Sequence, residues 1–133
     1  AAYPDWPEYW NIIGARYYLR TNIFVNGLLK ARSAFKEGLH FQVHIADPDH
    51  PVTRGMSDYE LHDEVYRLYD LLPGCHPLLT TQEPRSNPAI AWARSYHGAR
   101  VVYIQSGHDH FAYENPSYQK LLRQAIRWTG WRD

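Results

Sequence analysis

From Leu39 to Ile45 the chain alternates without a break: Leu39, Phe41, Val43 and Ile45 take one set of positions, and His40, Gln42 and His44 the other. Successive side chains of an extended backbone point to opposite faces, so this segment is a strand with one buried and one polar face. Such a strand needs partner strands and a layer over its apolar face, which commits the chain to a sheet-containing fold. It stops at Asp47-Pro48-Asp49-His50-Pro51, because two prolines cannot continue a ladder.

The other segments supply cover and neighbours. Pro7 to Gly14 reads as a short helix, with Asp5 or Trp6 before it and Pro7 in its first turn. Residues 15–38 hold two short apolar runs, Tyr17-Tyr18-Leu19 and Ile23-Phe24-Val25, punctuated by Asn26-Gly27 and Lys36-Glu37-Gly38, and read as a long surface excursion. Pro51 to Gly55 fits one helical turn. Between Ser57 and Tyr69, two alternating stretches and a single helix both fit. Pro73-Gly74 is a turn, and Cys75 to Thr81 a strand near an edge. Ala89 to Tyr96 and Arg100 to Gln105 form a hairpin around His97-Gly98-Ala99. Its second strand is nearly all apolar or aromatic, as in a sheet buried on both faces. Asn115 then caps, and Pro116 opens, a helix on which Tyr118, Leu121, Leu122, Ala125 and Ile126 recur at helical spacing, ending near Gly130.

The 133 residues fit one domain, taken as 1–133. The 14 Lys and Arg balance the 14 Asp and Glu with no run of like charge, which argues against an electrostatic hold on nucleic acid or an anionic membrane. No apolar run approaches the ~20 residues that span a bilayer. One cysteine leaves neither a disulfide framework nor a Cys-based zinc knuckle; it fits the cytoplasm and permits export. The chain opens Ala1-Ala2-Tyr3 without Met, and reads as a processed product or a piece of something longer. The 8 His and 11 Tyr then direct attention to acid/base or ligating chemistry and to flat amphipathic surfaces such as those that face sugars.

Four clusters could carry chemistry. Gly107-His108-Asp109-His110 directly follows a strand, at the sheet rim where α/β proteins keep their sites. There His108 fits a general base or ligand, Asp109 an orienting or acting acid, and His110 a second ligand in His-x-His spacing. The bland alternative is a polar loop. His62-Asp63-Glu64-Val65-Tyr66 offers two carboxylates beside a His and a Tyr, suited to sugar hydroxyls or a cation, or else a solvated acidic turn. Trp6-Pro7-Glu8-Tyr9-Trp10 sets Glu8 among three aromatics, where desolvation raises a carboxyl pKa toward general-acid use; an ordinary first-turn acid is the alternative. His40 and His44 lie about two pleats apart, too far to share an ion easily, and read as exposed strand polarity. Cys75 lacks a strand–turn–helix elbow and reads as a plain buried thiol.

Asp47-Pro48-Asp49-His50-Pro51-Val52-Thr53-Arg54-Gly55, Asp63-Glu64-Val65-Tyr66, Pro88 to Arg94, Gly98 to Tyr103, Gly107-His108-Asp109 and Leu121 to Trp128 together resemble, in order and spacing, the C-terminal half of the trehalose-utilisation (ThuA-like) family. Trp6-Pro7-Glu8-Tyr9 is similar to its mid-domain motif. The resemblance implies an open α/β sheet of flavodoxin type, like class I glutamine amidotransferases, here an incomplete domain with an added hairpin and a C-terminal helix. Those relatives place a His with an acidic neighbour after a late strand, which Gly107-His108-Asp109 matches. Nothing matches their upstream nucleophilic Cys, so glutamine hydrolysis is not expected. The family's domains begin with further βα units, so a second copy or a missing N-terminal half is expected to cover the exposed sheet.

The implied function is carbohydrate metabolism, on trehalose or related disaccharides including 3-keto forms made by a partner oxidoreductase. An isomerase, lyase or hydrolase would use His108 as base or ligand, Asp109 and Glu64 as acid or hydroxyl-binding groups, and Glu8 as a second acid. Asp63, Tyr66, Trp6 and His110 would contact the sugar. The alternatives are a non-catalytic sugar-binding or assembly module, and a hydrolase using a divalent metal on His108 and a carboxylate.

Overall fold

The computed structural model describes residues 6–130. Helix α1 (Pro7–Ile13) and the short β1 (Ala15–Arg16) lead into a hairpin of β2 (Ile23–Val25) and β3 (Leu28–Lys30). Then come β4 (Ala34–Ile45), β5 (Tyr59–Arg67), β6 (Asp70–Leu71), β7 (His76–Thr80), β8 (Ala89–Tyr96) and β9 (Ala99–Ile104), closed by α2 (His110–Glu114) and α3 (Pro116–Gly130). The main sheet has the order β5-β4-β7-β8-β9. No helix among the described residues is long and apolar enough to cross a membrane.

The fold is mixed α/β. Every strand pair among the described residues is antiparallel, so they contain no parallel βα unit of the open flavodoxin-type sheet. The sheet is curled. Its edge strands β5 and β9 approach each other, and the buried Asp63 carboxylate of β5 accepts hydrogen bonds from the amides of Gly107 (2.7 Å) and His108 (3.1 Å) just beyond β9.

The alternation that opens the sequence determines the core. Leu39, Phe41, Val43 and Ile45 pack with Tyr59, Leu61 and Val65 of β5, and with Leu78, Ala91 and Ala93 from the next strands. Helix α3 covers them with Tyr118, Leu121 and Ala125, while Ile126, on the same sequence stripe, is 69% exposed. On the other face Trp92 is fully buried, stacks on Tyr103 with centroids 4.4 Å apart, and donates from Nε1 to Ile13 O at 2.7 Å, fixing α1 to the sheet.

Several segments differ from expectation for identifiable reasons. Between Ser57 and Tyr69, where alternating stretches and a helix both fitted, Tyr59–Arg67 forms one strand. The strand at Leu39 begins earlier, at Ala34, with a register shift between Lys36 and Leu39, so part of the supposed excursion belongs to the sheet. Strand β7 is central rather than near an edge; Pro77 is tolerated there because the ladder shifts register between Pro77 and Leu79. Strand β9 is the edge, and its apolar residues are half-exposed rather than buried on both faces. The α1 reading holds, although the candidate cap Asp5 lies outside the described residues and Trp6 makes no side-chain cap.

Asn115 behaves as its position predicts. Its Oδ1 accepts from the Ser117 and Tyr118 amides, and its Nδ2 donates to Glu60 O at 2.9 Å, tying α3 to β5. Asn115→Ala is expected to cost about 1 kcal/mol, measurable by urea unfolding.

Asp70 joins three short elements: it accepts from Tyr18 Oη (2.5 Å) and pairs with Lys30 Nζ (2.8 Å). Burial pushes its carboxyl pKa up, but Lys30 and Tyr18 outweigh burial and hold it below the usual 3.8. A depressed folded-state pKa stabilises above the unfolded value, and that stabilisation is lost as pH falls through the folded value. Asp70→Asn is therefore expected to lower stability at neutral pH and flatten its decline below pH 3.8, read from urea midpoints against pH.

Candidate functional site

The site grows from the loop after β9. Gly107 takes φ +116°, a conformation costly for other residues, and a Cβ there would collide with the Tyr118 hydroxyl, which donates to Ser106 O at 2.9 Å. Asp63 holds the next two amides, and the turn delivers the His108 ring to Glu64. Alternation along β5 sends Asp63 to the core and Glu64 and Tyr66 to the opposite face.

There His108 Nδ1 lies 2.5 Å from Glu64 Oε2, which also accepts from Tyr66 Oη at 2.8 Å. The Glu64 side chain is 6% exposed and that of His108 43%. Glu37 Oε1 stands 3.9 Å from His108 Nε2.

Beside this group opens a cavity of about 420 Å³. Glu64, Tyr66, Tyr17, Tyr69, Tyr103 and Gln105 line it, with Phe35, Tyr9 and Ile13 completing the wall. His108 lies behind Glu64 rather than in the wall. Burial raises the Tyr66 and Tyr69 pKa values, and Tyr103 is pushed up to about 12 by burial. Burial and then the Glu64 charge raise Tyr17. At neutral pH these phenols are therefore intact O–H groups that donate and accept, on flat apolar rings. Such a lining suits a small polyhydroxylated ligand.

Of the residues singled out in the sequence, the structure brings together His108, Glu64 and Tyr66. Asp63 is adjacent but has both oxygens occupied by backbone amides, so it positions the loop instead of facing a ligand. Asp109 does not reach His108; its carboxylate caps α2 by accepting from the Phe111 amide. His110 is exposed in the first turn of α2, beside the Phe111 ring. Glu8 is exposed and accepts from the Tyr96 hydroxyl and Asn11, far from the desolvated setting expected among aromatics, and Trp6 is 49% exposed against Tyr9. His40 pairs with Glu60 and stacks on His62, and His44 pairs with Asp58, so the two share nothing. Cys75 is half-buried, its thiol donating to Gly14 O; burial pushes its pKa up against the pull of Arg94, opposite to an activated nucleophile.

Glu37, Tyr17, Tyr69, Tyr103 and Gln105 were not singled out. The sequence signal for Glu37 is Glu-Gly inside an otherwise regular strand, which marks a bulge that redirects side chains.

The described residues thus form a mixed α/β domain with a tyrosine-lined cleft and a carboxylate–imidazole pair beside it. The family model for ThuA, trehalose utilisation, matches residues 1–129, and the chain belongs to that family. A solved ThuA-like protein from Parabacteroides merdae is similar, with TM-score 0.68 and 18% identity over 97% of this chain and 57% of that one. At that identity the likeness speaks to the fold, and the chain spans 57% of that protein's length. No curated protein matches the chain.

Proposed function

We propose that this domain acts in trehalose utilisation by converting a disaccharide, trehalose or its 3-keto form, through acid/base chemistry centred on Glu64 and His108. Family membership supports the pathway. The observation that carries the chemistry is the 2.5 Å contact between His108 Nδ1 and Glu64 Oε2, at the wall of a cleft lined by phenols. A carbonyl at C3 acidifies the C2–H bond. Glu64, backed by His108, takes that proton; the C2 electrons then form the enol or expel the oxygen at C1, which leaves as a hydroxyl on receiving a proton. The Tyr66 hydroxyl donates to Glu64 Oε2 in the free site; once Glu64 holds the substrate proton, that hydroxyl turns to the carbonyl oxygen as charge develops there. Tyr17 and Tyr103 hold the sugar hydroxyls, while Tyr69, whose hydroxyl donates to Ala89 O, supplies its ring.

A partner oxidoreductase would supply the keto sugar. The test is to incubate the protein with 3-keto-trehalose and with trehalose, and to follow both by NMR while calorimetry records binding. The expected result is conversion of the keto sugar; saturable binding with no conversion of either would replace the enzyme with a sugar-binding module.

A further inference from the structure

Two features of the Glu64 region are left unused by proton transfer. The first is Glu37. Strand β4 slips register between Lys36 and Leu39, Gly38 takes φ +66°, and the bulge turns Glu37 toward His108. The second is charge. The Glu64 side chain is over nine-tenths buried; its Oε2 accepts from Tyr66 Oη and lies 2.5 Å from His108 Nδ1, and no hydrogen bond to Oε1 is made by the described residues. Neither Glu37 nor Glu64 has a Lys or Arg partner among the described residues; both carboxylates face one imidazole. Two negative charges, one buried, are thus gathered around a single group of at most one positive charge.

We infer that Glu37, Glu64 and His108 form a binding site for one divalent cation of the first transition row. One ligand atom from each residue already lies within 4.8 Å of the others. Two carboxylate oxygens and an imidazole nitrogen suit Mn²⁺ or Zn²⁺ and leave coordination positions open, with Glu64 the ligand that also lines the cleft. Glu37, 62% exposed on a flexible side chain, closes the remaining gap. The inference rests on the cleft being a sugar site, because the open positions would be filled by neighbouring sugar oxygens, or by water. A Glu64 oxygen or His108 nitrogen that ligates a cation cannot also take a proton, so cation and proton would compete for the same lone pairs.

The test is binding, read without activity. Mn²⁺ is titrated into chelator-treated protein and followed by the loss of the free-ion electron paramagnetic resonance signal, with Zn²⁺ as competitor. One saturable site per chain is expected, weakened at least tenfold in Glu37→Gln and His108→Ala and unchanged in His76→Ala, an exposed His paired with Asp47 elsewhere. Because Glu37 is exposed, Glu37→Gln keeps the test informative if His108→Ala is poorly folded. Absence of saturable binding, or equal binding by Glu37→Gln, overturns the inference. The two proposals fail separately: turnover by metal-free protein that binds no Mn²⁺ leaves acid/base chemistry and removes the cation, whereas stoichiometric Mn²⁺ binding with no turnover in either form does the reverse.

Discussion

Glu64→Gln is expected to lower turnover of a keto-disaccharide by about 10²–10⁴-fold, the usual contribution of a positioned acid/base group. Glutamine keeps the volume of the buried side chain and can still accept from Tyr66, so the loss would report the missing charge and basicity rather than a collapsed site. His108→Ala is expected to cost a similar factor, because the imidazole nitrogen lies 2.5 Å from a Glu64 oxygen. The decisive quantity is the double variant. Residues that act as one unit are strongly non-additive, so Glu64→Gln/His108→Ala should be little worse than either single change. Multiplying losses would mean two independent roles. Steady-state kinetics of all four proteins supply the comparison, with circular dichroism establishing that each is folded.

The largest expected stability effect is at Trp92. Trp92→Ala removes a fully buried ring, its stacking on Tyr103 and the bond from Nε1 to Ile13 O, and is expected to cost about 3–5 kcal/mol in urea unfolding. Trp92→Phe keeps a ring but strands the Ile13 carbonyl, and should cost about 1–3 kcal/mol. The consequence reaches the cleft. Tyr9 and Ile13 of α1 and Tyr103 of β9 all line the cavity, and Trp92 is the fully buried side chain among those that bond α1 to the sheet. In Trp92→Phe, substrate affinity should therefore fall more than the rate of the chemical step, since Glu64 and His108 sit on other elements.

The parts legible in the sequence are those governed by local periodicity or local chemistry. Alternation from Leu39 to Ile45 gave the buried face of β4, Asn115-Pro116 the start of α3, and His97-Gly98 the β8–β9 turn. Strand order is a non-local property, and there the reading failed. Pro77 sits in a central strand because a register shift accommodates it, and the apolar β9 ends at an edge because α1 and α3 both reach it. At the site, His108, Glu64 and Tyr66 were recognisable as chemistry-bearing residues beside strand ends. Asp109 was read as an acid or orienting group; its place one residue before a helix is also a capping signature, realised by its bond to Phe111. The cleft itself was not legible: Tyr17, Tyr69, Tyr103 and Gln105 come from separate stretches of chain, and only the curl of the sheet, held by Asp63 across its two edges, brings them together.

That a sugar occupies this cleft is the claim on which the rest depends, and an amide-resolved NMR titration with trehalose and 3-keto-trehalose tests it most directly. The account predicts saturable shifts concentrated at Tyr17, Glu64, Tyr66, Tyr103, Gln105 and the Gly107–His108 loop, abolished or weakened by Tyr66→Phe with Tyr103→Phe. Saturable shifts confined to another face, such as the exposed His44–Asp58 pair or the β2–β3 hairpin, or none at millimolar sugar, would contradict it.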